Sequence, residues 1–135
     1  MNPLTILLVE DNAADVAFFR EALEATGIPA KTQVAENGEQ ALRFLRRQDD
    51  FASAPRPDII ILDLNIPLNS GHEVLAELAA DETLSTIPVA VLTTSTSETC
   101  LSELYPPGRC LYFSKTDDFT RLQNIVRKIA AHAGR

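Results

Sequence analysis

Residues 59–63 read Ile-Ile-Ile-Leu-Asp, four apolar side chains followed directly by an acid. A short apolar run that ends in a polar residue is typical of a strand covered on both faces of a parallel sheet. Three other runs have the same form, namely Leu4–Val9 before Glu10 and Asp11, Val89–Leu92 before Thr93, and Leu111–Phe113 before Lys115. These four runs are therefore predicted to be neighbouring buried strands, with 59–62 as the central one.

Amphipathic stretches separate the runs and predict helices. The first is expected to reach about Ala25, a fourth to carry Cys100, Leu101 and Leu104 inward, and a last to cover about Asp118–His132 with Phe119 among its inward residues. A weaker strand around Gln33–Ala35 reads as an edge strand. Five β-α units result, and they predict an α/β fold: a doubly wound five-stranded parallel sheet in the flavodoxin-like order 2-1-3-4-5, with helices on both faces.

Length and charge restrict the function. A chain of 135 residues has the size of one domain, so we expect a single domain over 1–135 and no output domain. The net charge of −7 argues against a nucleic-acid partner, because phosphate backbones are bound by clustered Lys and Arg. No apolar stretch approaches a membrane span, and no signal-peptide pattern opens the chain. We therefore expect a cytoplasmic protein with no membrane contact.

Polar residues at the strand ends predict a shared site. In parallel sheets, ligands bind in the crevice outside the carboxyl ends of the strands, where these acids, Thr93 and Lys115 should converge. A divalent cation relieves repulsion among crowded carboxylates, and a lysine can pair with phosphoryl oxygens. The pattern predicts a site for a divalent cation and phosphoryl chemistry.

The motifs resemble the receiver domain of two-component response regulators, the family of the chemotaxis regulator. The resemblance spans essentially the whole chain and rests on four motifs in order: 8–12 (LVEDN), 62–67 (LDLNIP) followed by Gly71, 88–93 (PVAVLT) and 112–115 (YFSK). The spacing is the specific part, because Thr93 lies 30 residues after Asp63 and Lys115 lies 52 after it. Within the family, the chain is similar to single-domain regulators that partner bacterial phytochromes.

The resemblance implies a role for each matching residue. Asp63 matches the aspartate that accepts a phosphoryl group from a histidine kinase, Thr93 the hydroxyl that hydrogen-bonds this group, and Lys115 the lysine that pairs with it. The matching magnesium ligands are Glu10, Asp11, Asp63 and the backbone carbonyl of Asn65. Such a protein modifies only itself and is not an enzyme toward other substrates.

The resemblance also implies a switch and partners. Thr93 would move toward the phosphoryl group, and Tyr112 would fill the vacated space, which alters the surface of the fourth helix, last strand and last helix. The expected partners are a sensor histidine kinase, of the bacterial phytochrome type, and a second copy or another protein on that surface. The family has proline after its lysine, whereas Thr116 stands here, so this loop is either trans along a different path or strained.

Two other functions compete with this interpretation. A phosphatase of the haloacid dehalogenase type also uses an aspartate nucleophile and Mg²⁺, but it needs an acid two positions later, where Asn65 stands. A pseudo-receiver scaffold that is never phosphorylated would lack the acceptor or metal acids, and this chain has them.

Overall fold

The computed structural model describes residues 3–48, 52–63, 71–93 and 110–133. Its strands form one sheet in the order β2-β1-β3-β4-β5, and every neighbouring pair is parallel. Their bounds are β1 Leu4–Val9, β2 Ala30–Ala35, β3 Ile59–Asp63, β4 Val89–Thr93 and β5 Cys110–Ser114. The predicted strand order, the edge position of β2 and the central position of β3 are confirmed.

Four α-helices lie within the described residues: α1 Ala13–Thr26, α2 Gly38–Leu45, α3 Gly71–Ala80 and α4 Phe119–His132. A short 3-10 helix, Leu84–Thr86, precedes β4. The predicted fourth helix with Cys100, Leu101 and Leu104 lies outside the described residues, so the last predicted helix is α4 here. Among the described residues no helix has both the length and the apolar character needed to cross a membrane.

The start and end of α1 follow from its sequence. The Asn12 side chain accepts hydrogen bonds from the backbone N–H groups of Ala14 and Asp15, at 2.9 and 3.1 Å, and so satisfies two donors that the first turn leaves free. Gly27 ends the helix with φ of 75°, a left-handed conformation that glycine adopts without the steric cost of a Cβ.

Side chains alternate across the sheet and form two apolar layers. One face packs against α2 and α3, through Leu7, Val9, Ile60, Leu62, Val89 and Val91. The other face packs against α1 and α4, through Ile6, Leu8, Ile59, Ile61, Ala90 and Leu92. Because β3 is fully buried on both faces, its run of isoleucines is what a doubly covered strand requires.

The prediction that Phe119 points inward is wrong. Its side chain is 39% exposed, and its ring lies 5.9 Å from the ring of Phe18 on α1. Asp118 caps α4 by accepting a hydrogen bond from the backbone N–H of Arg121 at 2.8 Å, which makes Phe119 the first helical residue. A residue at this position lies at the end of the core, and Leu122, one turn later, is the first of the helix to be buried.

Candidate functional site

The acids of the site stand at the ends of two adjacent strands. Val9 pairs with Leu62, so Glu10 and Asp63 directly follow paired positions on β1 and β3. The backbone N–H of Glu10 donates to the carbonyl of Ala35 at 2.9 Å, which holds this residue in line with the sheet. Both acids lie against the covered sheet and are only 4% and 3% exposed. They are the buried charged residues of the described chain.

Glu10, Asp11 and Asp63 form an acid triad. Each contributes a carboxylate oxygen, and these oxygens all lie within 4.8 Å of one another. Asp11 is exposed, so the triad has one open side toward solvent. Hard oxygen donors on two buried acids and one exposed acid fit Mg²⁺, which binds through carboxylates and retains several waters. The predicted ligands Glu10, Asp11 and Asp63 are thus together, while Asn65 lies outside the described residues.

Lys115 is the cation of the site. It follows β5, and its Nζ donates to Asp63 Oδ2 at 2.8 Å, to Glu10 Oε2 at 3.2 Å and to Asp15 Oδ2 at 3.2 Å. Burial lowers the pKa of Lys115, but the hydrogen bonds and charges of Asp63 and Glu10 outweigh it and raise that pKa above its ordinary value. The ammonium therefore stays charged and partly neutralises the triad. Peptide bonds between described residues are all trans, including the one from Lys115 to Thr116.

Glu10 has an unusually high pKa for a glutamate. Its burial, its hydrogen bond with Asp63 and the negative charge of that residue raise the pKa of Glu10 from 4.5 to about 7. The backbone N–H of Asn12, which donates to Glu10 Oε1 at 3.2 Å, and Lys115 act in the opposite direction. Near neutral pH Glu10 is thus shared between its charged and protonated forms. A bound cation favours the charged form.

The two residues predicted to form the switch are described only by their backbones. Thr93 ends β4 and pairs with Ser114, one position after Leu92, the partner of Asp63. Tyr112 lies within β5 and pairs with Val91. Both therefore stand on the strands beside the site, but their side chains lie outside the described residues. Their roles remain predictions.

Asp15 was not predicted as a site residue, although it contacts Lys115. It occupies the third position of α1, after the cap Asn12, where an acidic side chain often turns back to the N–H of the capping residue. Here Glu10 accepts from that N–H, and Asp15 faces Lys115 instead. The signal available in the sequence was an acid three residues after the capping Asn12, because this spacing places a carboxylate in the first turn of α1, beside the end of β1.

The arrangement suits transfer of a group to a carboxylate. Asp63 offers an oxygen nucleophile, which needs no general base because a carboxylate is already ionised when it attacks. The ammonium of Lys115, 2.8 Å from Asp63 Oδ2, is placed to offset negative charge that arrives at this atom. The acids beside it supply the donor set for a divalent cation.

Comparison with known proteins gives a consistent result. Residues 6–127 match the family model of the response regulator receiver domain. The response regulator Rcp1 of Synechocystis sp. is 38% identical over 127 residues, which covers 94% of this chain and 86% of that protein.

Two solved structures are similar over nearly the whole chain. The Mn²⁺-bound form of Rcp1 has a TM-score of 0.82 and 39% identity, and it covers 96% of this chain and 93% of its own. The phosphorylated cyanobacterial phytochrome response regulator RcpA also has a TM-score of 0.82, with 40% identity and coverage of 94% and 91%.

Proposed function

This chain belongs to the response regulator receiver domain family, and we propose that Asp63 is the residue on which it carries the phosphoryl group. Membership makes the chain a phosphoacceptor of two-component signalling with a divalent-metal site, and it favours this function over a dehalogenase-type phosphatase or an unphosphorylated scaffold. One observation carries the choice of Asp63. It is the buried acid that both shares the acid triad and accepts the shortest hydrogen bond of Lys115, at 2.8 Å.

The reaction follows from these contacts. An oxygen of Asp63 forms a bond to phosphorus as the donor's phosphorus–nitrogen bond breaks, and the donor histidine retains that electron pair. The transition state is loose, so the protein chiefly orients the partners and offsets charge on the phosphoryl oxygens. Lys115 lies within hydrogen-bond distance of the accepting carboxylate and supplies part of that charge. Bound Mg²⁺, held by Glu10, Asp11, Asp63 and the Asn65 carbonyl, would supply the rest.

The switch and the protein contacts belong to the same proposal. Thr93 hydrogen-bonds the phosphoryl group, and Tyr112 follows its movement, which changes the face made by the segment after β4, by β5 and by α4. The backbone positions of both residues beside the site support this role. That face would bind a second copy of the chain or another protein, and the net charge of −7 favours protein over nucleic acid.

The donor would be a sensor histidine kinase of the bacterial phytochrome type. Similarity to RcpA, a phytochrome response regulator, supports this class. The exchange would take place in the cytoplasm, where ATP supplies the kinase. The protein would catalyse only its own phosphorylation and dephosphorylation, as a single receiver domain.

The test is to treat the protein with acetyl phosphate and Mg²⁺. Wild type should gain the mass of one phosphoryl group, and D63N should not, because the amide is not a nucleophile of this kind. D117N is the matched control, since it makes the same change at an exposed aspartate near Lys115. Intact-protein mass spectrometry reads the result. Equal labelling of D63N would refute the assignment, and repeated turnover of a phosphomonoester would instead indicate a phosphatase.

A further inference from the structure

Within the part of the chain that the structure describes, the ammonium of Lys115 has three carboxylate partners, and two of them belong to the acid triad. Glu10 and Asp63 offer oxygens to the triad, whereas Asp15 does not. Asp15 lies on α1 and is 46% exposed, and its Oδ2 is 3.2 Å from Lys115 Nζ. Asp15 is therefore free to keep the ammonium when the other two acids bind a cation.

The helix start explains why Asp15 is available. An acid at the third position of a helix can accept a hydrogen bond from the backbone N–H of the capping residue. Here that N–H, on Asn12, already donates to Glu10 Oε1 at 3.2 Å. The backbone N–H of Asp15 is itself held by the Asn12 side chain at 3.1 Å. The backbone of Asp15 is thus fixed, and its carboxylate has Lys115 as partner.

Packing alone does not hold Lys115 in place. A cavity of about 40 Å³ lies beside its side chain and is lined by Leu8, Phe18, Phe19 and Leu92 as well as by Asp15. This cavity is only about the size of a water molecule, but the Lys115 side chain is also 23% exposed, so other rotamers are open to it on the solvent side. The position of the ammonium is therefore set by its ionic partners, and those partners change when a cation binds to the triad.

We propose that Asp15 is a positioning residue, one that holds the Lys115 ammonium beside Asp63 when Glu10 and Asp63 serve the metal. This inference rests on the proposed function, because it assigns to Asp15 the placement of the charge that the phosphoryl group meets. It also concerns metal binding itself. Without Asp15, the ammonium keeps Glu10 and Asp63 as its carboxylate partners among the described residues, and it competes with the cation for both.

An exposed ion pair by itself contributes little, so the experiment must separate the contact from general charge. We expect D15N to bind Mn²⁺ about fivefold more weakly than wild type, the effect of losing one modest ionic contact. Electron paramagnetic resonance of free Mn²⁺ measures this affinity without phosphorylation. D117N is the matched control, because it removes an exposed carboxylate near Lys115 that makes no described contact with its ammonium.

A double-mutant cycle identifies the route. If Asp15 acts through Lys115, D15N should leave Mn²⁺ affinity unchanged in a K115A background. A D15N protein that binds Mn²⁺ like D117N, or that loses the same factor in both backgrounds, would overturn the proposal. D15E should recover affinity, since it restores the charge on a longer side chain. D15S, which also suits the first turn of a helix, replaces D15N if that variant does not fold.

Phosphorylation provides the second readout. At saturating Mg²⁺ we expect acetyl phosphate to label D15N at least about threefold more slowly than wild type, with D15E in between. If wild type is not labelled at Asp63 at all, the proposed function fails, and the Mn²⁺ cycle still decides the role of Asp15. If wild type is labelled and D15N equals D117N in both assays, only the role of Asp15 fails.

Discussion

At the residue scale, the carboxyl group of Glu10 connects folding with ion binding. Burial and the neighbouring Asp63 favour its protonated form, whereas a cation requires the charged form. The folded protein therefore holds a proton on Glu10 at pH values where the unfolded chain has lost it. Metal-free protein should for this reason become less stable as the pH rises toward neutrality.

The sign of this dependence gives a prediction. The pKa of Glu10 is raised from 4.5 to about 7 in the folded state, so its contribution to stability is complete below 4.5 and is lost as the pH rises through 7. The loss is up to about 3 kcal/mol, at about 1.4 kcal/mol per pKa unit. E10Q, which resembles the protonated acid, should lack this loss. Urea unfolding in EDTA from pH 4.5 to 8 measures the difference between the two proteins.

Other groups titrate in the same range, so the comparison with E10Q isolates the contribution of position 10. E21Q is the matched control, because Glu21 is an exposed glutamate on α1. It should follow the wild-type curve. Parallel curves for wild type and E10Q would show that Glu10 does not retain its proton in the folded protein.

At the scale of elements, the first turn of α1 organises the site. The side chain of the cap Asn12 accepts a hydrogen bond from the backbone N–H of Asp15. The backbone N–H of Asn12 donates a hydrogen bond to the side chain of Glu10. Through these two bonds the helix start is connected to the acid triad and to the side chain that pairs with Lys115. The geometry of the site should therefore depend on helix capping.

N12A tests this dependence. Loss of the capping oxygen should lower the free energy of unfolding by about 1 kcal/mol and weaken Mn²⁺ binding, because the turn that carries Asp15, and the cap that follows Asp11, loosen. N37A is the matched control, since Asn37 caps α2 by accepting from the N–H of Gln40 at 2.7 Å. It should cost similar stability and leave Mn²⁺ affinity unchanged. Equal effects of the two variants on Mn²⁺ affinity would contradict the link to capping.

The elements also show what sequence alone can predict. The strands followed from apolar runs such as 59–62, because a strand covered on both faces has a distinctive composition, and their order followed from the common arrangement of five β-α units. The convergence of Glu10, Asp63 and Lys115 followed from their position at strand ends. Phe119 was mispredicted because helical spacing does not reveal where the core ends. Asp15 was missed because its role depends on Glu10 taking the N–H that such an acid usually binds.

At the scale of the whole molecule, two apolar layers hold a charged site at the carboxyl ends of the strands. Each layer joins helices to alternate residues of the same strands, so the sheet cannot shift without disturbing both. The site acids are attached to this rigid frame. A cation that binds them therefore stabilises the entire fold and not only the loops around the site.

Mg²⁺ should raise the melting temperature accordingly. At a concentration about 100-fold above its dissociation constant, a ligand of the folded state adds about 2.7 kcal/mol, or roughly 5–10 °C for a domain of this size. D11N should lose most of this gain, while its metal-free melting temperature stays close to wild type because Asp11 is exposed. Differential scanning calorimetry at constant ionic strength measures both. An equal gain in D11N would place the cation elsewhere.

The two buried acids have a consequence for engineering this protein. An apolar residue of similar shape at Glu10 or at Asp63 would relieve crowding among buried acids, and Lys115 would keep its other carboxylate partners, so the fold should become more stable. Such variants would not respond to a kinase, because thermal stability favours apolar residues at these two positions and signalling requires acids there. A search for thermostable versions should leave the carboxyl ends of β1 and β3 unchanged. It should concentrate on the solvent-facing side chains of β2 and on helix ends far from the site.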